Sequence, residues 1–218
     1  MVKAWWQALL ALIFPARCPA CNRWTDVPGW CPACIAQIAK PRQVALLLHK
    51  LRWLDECLTV TDYTGSVQRL IRDIKFRRMT RQAAKLSQLL RCAIAADRYG
   101  DIDYVVPVPL HAERLRERGF NQTERIFKPW SSDCALVWRE ALIRTRPTAP
   151  QWQLDLKQRR KNIKGAFAVT RPELIQEKRI LLVDDIFTSG QTMEECAKVL
   201  KQAGAVTVKG LALASGAR

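Results

Sequence analysis

The apolar positions change period along the chain, and the changes mark the elements. Ile180, Leu181, Leu182 and Val183 are apolar without alternation, the pattern of a strand buried on both faces of a parallel sheet. Met193, Ala197 and Leu200 then fall on one helical face, Gly204 supplies a stop, and residues 209–215 read as a final strand. Upstream, the apolar runs 44–48 and 57–60 predict a connecting segment and a first strand. Tyr63, Thr64 and Gly65 lead into a helix with Val67, Leu70, Ile71 and Ile74 on one face. A second helix is expected over roughly 81–96, packing Ala84, Leu86, Leu89, Leu90 and Ala93 on a sheet. Residues 103–109 read as a strand that ends in the proline-stiffened loop Pro107, Val108, Pro109. At the front, Val2, Trp5, Trp6, Leu9, Leu10 and Ile13 recur at helical spacing. They predict a docked amphipathic helix rather than a secretory signal, and Arg17 before Cys18 spoils a small-residue cleavage site.

Strands alternating with helices predict an α/β fold with a mainly parallel sheet and flanking helices. The 218 residues allow one domain of ordinary size plus an appendage, and 49% hydrophobic content is enough for a core. No run of 18 apolar residues occurs, so a transmembrane segment is not expected and a cytoplasmic location is. Charge changes the picture more. There are 36 Lys and Arg against 20 Asp and Glu, a formal net charge of +16. Residues 1–110 hold 16 basic and 8 acidic side chains, 111–171 hold 14 and 6, and 172–218 hold 6 and 6. The excess therefore lies upstream of the apolar strand at 180–183, and it fits an anionic partner, either a pyrophosphate-bearing small molecule or nucleic acid. A solvated basic face without a partner carries the same charge.

Cys18 and Cys21 form one CxxC pair, Cys31 and Cys34 a second. Two such pairs at short separation point to a four-thiolate structural zinc site, each pair offering two sulfurs to one tetrahedral ion. Two disulfides are the alternative. The remaining Cys57, Cys92, Cys134 and Cys196 are scattered singly, as buried thiols of a reducing compartment are. Residues 1–40 are accordingly expected to be an amphipathic helix and zinc module, with Trp24 and Trp30 in its turn and core, and 41–218 the α/β domain.

The apolar strand breaks into Asp184 and Asp185, and Thr188, Ser189, Gly190, Gln191 and Thr192 follow before the helix. Ligands of open α/β sheets lie at the carboxyl ends of strands. Small polar residues around one glycine let backbone N–H groups close on a phosphate at a helix N-terminus. Carboxylates accept hydrogen bonds from sugar hydroxyls, so the pair and the turn are consistent together if the ligand is a sugar phosphate. An ordinary βα turn with an exposed acidic pair is the bland alternative. The segment resembles the signature of type I phosphoribosyltransferases, an acidic pair followed by a T-[TS]-G-x-T turn. The resemblance implies that Asp184 and Asp185 face the ribose hydroxyls of phosphoribosyl pyrophosphate (PRPP). Residues 188–192 would wrap its 5′-phosphate, and Mg²⁺ would accompany the pyrophosphate.

Arg114 and Arg118 share a helical face and suit a clamp on pyrophosphate. Lys75, at the end of the first helix, serves either as a capping cation or as an anion ligand. The stretch 142–167 interleaves Arg144, Arg146, Arg159, Arg160 and Lys161 with Gln151, Asn162 and Gly165, and reads as part of a basic hood over about 111–167. Lys75, Arg114, Arg118, Gln122, Gln151, Arg159 and Asn162 are the candidate pyrophosphate and hood residues. The loop 107–109 has no glycine, so its backbone approaches a ligand less freely, which favours binding over turnover.

The double CxxC, the IKF element at 74–76, PVPL at 107–110, RGFNQ at 118–122, R-x-x-N-x-x-G-A-F at 159–167 and VDDIFTSGQT at 183–192 follow one another along nearly the whole chain. In that order they resemble the ComF/GntX group of phosphoribosyltransferase-like proteins. The resemblance implies a role in competence or in the use of extracellular DNA, with single-stranded DNA or the DNA-uptake machinery as partners. It leaves the acceptor substrate open. A non-enzymatic nucleic-acid-binding or DNA-processing partner on the same fold is the rival reading.

Overall fold

The computed structural model describes residues 16–26, 28–148 and 156–216. The expected helix with Trp5, Trp6 and Ile13 lies outside them, as does Gln151. In chain order the elements are α1 (Pro32–Ile38), β1 (Arg42–Gln43), β2 (Glu56–Asp62), α2 (Gly65–Arg77), α3 (Gln82–Ala93), β3 (Tyr104–Pro107), α4 (Ala112–Arg118) and α5 (Gln122–Asp133). They continue with β4 (Leu142–Arg144), α6 (Leu156–Ile163), β5 (Phe167–Val169), β6 (Arg179–Phe187), α7 (Gln191–Gln202) and β7 (Thr207–Ser215).

Five strands form one sheet in the order β1-β2-β7-β6-β3. The pairs β2·β7, β7·β6 and β6·β3 are parallel, and only the two-residue β1 runs antiparallel on the edge. Ile180, Leu181, Leu182 and Val183 of β6 are all fully buried, as unbroken apolarity in a central parallel strand demands. Their side chains alternate between two cores. Leu181 and Val183 pack with α2, α3 and α5, including Ile71, Ile74, Leu86, Leu90, Ile126 and Phe127. Ile180 and Leu182 pack with Met193, Cys196, Ala197 and Leu200 of α7 and with Phe167 and Ile163. The sheet therefore carries helices on both faces, as expected of this α/β class.

Two local expectations are corrected. On α3 the buried alanine is Ala83, whereas Ala84 is exposed, because the helix packs chiefly against α5 and α2 rather than flat on the sheet. Of the single cysteines, Cys57 and Cys196 are buried, but Cys92 is exposed and Cys134 only partly covered.

β4 and β5 form a separate antiparallel hairpin, with Leu142 opposite Val169 and Arg144 opposite Phe167. With α6 it packs over α7 on the second face of the sheet. Among the described residues no helix is long and apolar enough to cross a membrane.

Candidate functional site

The acidic pair does not follow β6 but lies within it. The strand continues through Asp184 and Asp185 to Phe187, paired on one side with β7 through Asp184↔Ala212 and Ile186↔Ala214. On the other side β3 stops at Pro107↔Val183, followed by the Val108 N–H donating to the Val183 carbonyl at 2.9 Å. Beyond that bond the chain turns into α4, so the β3 flank of β6 opens just where the aspartates stand. Strand alternation sends the two carboxylates to opposite faces.

Asp185, 3% exposed, points to the α2 side, where Lys75 Nζ lies 2.5 Å from its Oδ2. Lys75 is therefore the internal counter-ion of the pair, not a helix cap. Its neighbours do the capping work: Arg77 pairs with Asp73 at 3.2 Å, and left-handed Arg78 ends α2 while donating to the Glu117 carbonyl. Asp184 faces the α7 side, with its Oδ1 accepting from the Asp185 N–H at 2.8 Å and lying 3.4 Å from Thr123 Oγ1. Burial and then the adjacent Asp185 charge raise its pKa to about 8, against the opposing pull of Lys75.

Immediately after β6 the chain turns through Thr188 and Ser189 to Gly190, whose φ of 75° marks the left-handed region and starts α7. A Cβ on Gly190 would lie 2.7 Å from Leu51 Cδ1 and 2.8 Å from the Phe187 ring, so only glycine lets the turn close. No side chain caps the helix, leaving its first N–H groups at Gln191 and Thr192 directed toward the turn. The turn is braced from behind by the 44–54 loop, where the Arg52 and Trp53 N–H groups donate to Glu194 Oε1 at 2.7 and 3.2 Å. Thr188 is exposed, while Ser189, Gln191 and Thr192 are half-buried.

Arginines approach the pair from the α4 and β4 sides. Arg114 and Arg118 are both half-buried on α4, whereas Arg116 between them is exposed. Burial lowers the Arg118 pKa, with Asp185 opposing and Arg114 adding to the shift. Arg144 on β4, named only among several hood arginines from the sequence, is likewise depressed by burial and by Arg114, and faces Asp184 and Cys196. Its guanidinium lies 5.5 Å from the Phe167 ring, and its Nε is buried without a hydrogen-bond partner among the described residues. The sequence offered Arg144 only as one of several arginines interleaved with polar residues over 142–167; the strand β4 that directs it comes from the structure.

Gln122 is 5% exposed and accepts from Arg118, so it orients that arginine. Asn121 caps α5 by accepting from the Thr123 N–H at 3.0 Å and ties the helix to the 107–109 loop by donating to the Val108 carbonyl at 3.1 Å. The Arg118–Gln122 motif thus joins α4 to α5 beside the acidic pair and delivers Thr123 to Asp184. His111, unremarked in the sequence, begins α4 with its Nδ1 3.6 Å from Glu113 Oε2, and its backbone bridges to Arg144. Asn162 lies near the end of α6, where its carbonyl and that of Lys164 accept from Arg146 at 3.0 and 2.8 Å. Arg159 falls on α6.

The four cysteines of the double CxxC converge, with all four sulfurs within 4.8 Å of one another. Cys21 Sγ and Cys31 Sγ are 3.7 Å apart; four thiolates about 2.3 Å from a tetrahedral ion are about 3.8 Å from each other. The first pair sits in a knuckle closed by Cys18 N–H to Arg23 O at 2.9 Å and turned by left-handed Asn22. The second opens α1, whose first turn starts at Cys31. Trp30 anchors the module to α3 through Nε1 to the Lys85 carbonyl at 2.7 Å and its own N–H to Gln88 Oε1 at 3.0 Å. Trp24 is not core as expected. It is 58% exposed, stacked under Arg17 at 3.5 Å.

A parallel sheet with an acidic pair on its central strand, a left-handed glycine turn and a basic hood defines an α/β protein of the phosphoribosyltransferase type. The family model described as "Phosphoribosyl transferase domain" matches residues 143–217, from the hood through the last strand. "DNA utilization protein YhgH" of Escherichia coli O157:H7 is 38% identical over 157 residues, covering 70% of this chain and 68% of that protein. The protein of that name from Shigella flexneri is 34% identical over 207 residues, covering 92% and 90%. "Competence protein F" of Haemophilus influenzae is 29% identical over 208 residues, covering 90% of each. The chain belongs to the ComF family of phosphoribosyltransferase-like proteins.

Proposed function

We propose that the protein binds PRPP or a related ribose phosphate in the crevice at the carboxyl end of β6, and that it does so in the cytoplasm as part of the use or uptake of DNA. The observation that carries the reading is the continuity of Asp184, Asp185 and the Gly190 turn along one strand-to-helix path. Asp184, partly open to the crevice, accepts from ribose hydroxyls, while Asp185 is held by Lys75 on the other face of the strand. The N–H groups and hydroxyls of residues 188–192 receive the 5′-phosphate at the positive end of α7. Arg114, Arg118 and Arg144 converge from the other side and neutralise a pyrophosphate group. A bound Mg²⁺ supplies charge neutralisation on the pyrophosphate and ribose oxygens.

The four-cysteine site holds one structural Zn²⁺ by the chemistry of its donor set, with Trp30 fixing the module to α3. Residues 1–40 form this appendage and 41–218 the ribose-phosphate domain. The role in DNA use rests on the names of the relatives.

Calorimetry with PRPP and Mg²⁺ tests the reading. Binding that is abolished in the Asp184→Asn, Asp185→Asn double variant supports it. No heat at millimolar PRPP, with single-stranded DNA bound in a steeply salt-dependent way, overturns it in favour of a nucleic-acid-binding protein.

A further inference from the structure

A second basic concavity lies on the outer side of the α2–α3–α5 layer, between α3 and α5. It is an open groove of about 610 Å³, walled by Thr80, Arg81, Ser87 and Arg91 on one side and Glu124, Arg125 and Lys128 on the other. It shares no lining residue with the acidic-pair crevice.

Two of its four cations are already engaged: Arg91 with Asp133 at 2.5 Å, and Lys128 with Glu124 of the groove wall at 2.9 Å. Arg81 and Arg125 have no carboxylate partner among the described residues, although Arg125 lies 6.0 Å from the Phe120 ring. Ser87 makes the floor polar. It is 1% exposed, and its Oγ has no hydrogen-bond partner. A buried hydroxyl left unpaired costs free energy unless a ligand or water completes it. Here it lies just beneath a concavity flanked by uncommitted guanidinium groups.

We infer that the α3–α5 groove is a second anion site that takes a compact polyphosphate group, with Arg81 and Arg125 as its clamps. The volume is in the range of small-ligand pockets. The wall from Arg81 to Arg91 is about 15 Å long at 1.5 Å per helical residue, enough for a chain of phosphates. No aromatic side chain lines the groove, so it lacks the stacking platform on which single-stranded nucleic acids are held. That favours a small inorganic or nucleoside polyphosphate over a strand.

The test uses inorganic tripolyphosphate at low salt without added divalent metal, so that Mg²⁺-dependent binding at the acidic pair is silent and the four-cysteine module stays loaded. Calorimetry is expected to show one site. Arg81→Ala with Arg125→Ala should weaken it about tenfold or more, against no change in an Arg23→Ala, Arg171→Ala variant of equal charge. Hydrogen exchange should show new protection in residues 80–91 and 124–132. Equal weakening in the charge-matched variant overturns the site, as does protection confined to residues 188–192, or the absence of binding. Loss of short oligothymidylate binding in the Arg81, Arg125 variant with tripolyphosphate unaffected replaces it with a strand-binding surface. Both arginines are exposed, so the variant retains its fold.

Discussion

Lys75 Nζ lies 2.5 Å from Asp185 Oδ2, with the two side chains 19% and 5% exposed. A helix thus supplies, from beneath the sheet, the charge that lets two adjacent aspartates stand on one strand. Removing one partner of such a pair leaves an uncompensated buried charge and costs about 3–5 kcal/mol. For a chain of this size that is roughly 6–20 °C in Tm. Lys75→Met is expected to show this loss in thermal unfolding. Adding Asp185→Asn to it should recover much of the stability, because the stranded charge is gone. Independent, additive losses in the two variants would mean that the ion pair does not hold the site together.

Asp184 gives the pair a pH dependence of definite sign. Its folded pKa is about 8 against an ordinary 3.8, raised by burial and by Asp185. Between those values the native state holds a proton that the unfolded chain has released, so stability falls as pH rises across that window. Urea unfolding at pH 5 and pH 8 should show the decline, and Asp184→Asn should flatten it. Asp184 accepts hydrogen bonds from ribose hydroxyls best as the ionised carboxylate, so ribose-phosphate binding should strengthen toward pH 8 and release protons. Calorimetry in buffers of different ionisation enthalpy reads that release directly, and an unchanged heat would contradict it.

Gly190 combines a φ of 75° with side-chain contacts of 2.7 and 2.8 Å at its missing Cβ. Gly190→Ala is expected to cost about 1–3 kcal/mol for the left-handed backbone alone. The displaced Phe187 ring would add to this by shifting the start of α7. The measurable outcome is a lowered Tm together with loss of ribose-phosphate binding. Retained affinity in a folded variant would place the phosphate elsewhere.

The metal prediction has an optical readout. Freshly purified protein should carry about one zinc per chain, and stripping it with a strong chelator should expose Trp30 as its bonds to Lys85 and Gln88 open. A red shift of emission that disappears in Trp30→Phe isolates this tryptophan from the others. Zinc content near zero with unchanged emission would refute the site.

How much of this was legible depended on whether one element sufficed to determine the feature. The unbroken apolar run at 180–183 and the double CxxC need no tertiary context, and both stand where their patterns placed them. Lys75 could be read as cap or ligand because its role depends on which face of β6 receives Asp185. That is settled by strand pairing with β3 and β7. Arg144 was one arginine among several until the β4–β5 hairpin turned it toward Asp184. Ala83 and Ala84 were indistinguishable by periodicity alone, since either can lie on an apolar stripe. The choice follows from α3 packing on α5.

A backbone-to-side-chain hydrogen bond ties the hood to α7. Glu195 on α7 accepts from the Gly165 N–H at 2.8 Å, where the chain passes from α6 into β5. Its side chain is only 13% exposed, and Lys198 stands 3.7 Å away. Gly165 is left-handed at φ 67°, so its N–H direction is fixed by the turn rather than by a strand ladder. Glu195→Ala removes the acceptor and leaves that N–H to water, whereas Glu195→Gln keeps an acceptor of the same reach. A charge-assisted bond of this kind contributes about 1.5 kcal/mol or more, so exchange of the amides from 163 to 167 should accelerate about tenfold in the alanine variant and little in the glutamine one. Ribose-phosphate affinity should fall by a similar factor with the alanine change, since the ligand must then order the hood itself. If exchange and affinity both remain as in the parent, the β4–β5 pairing and the packing of Ile163 and Phe167 against α7 hold the hood, and Glu195 has no positioning role.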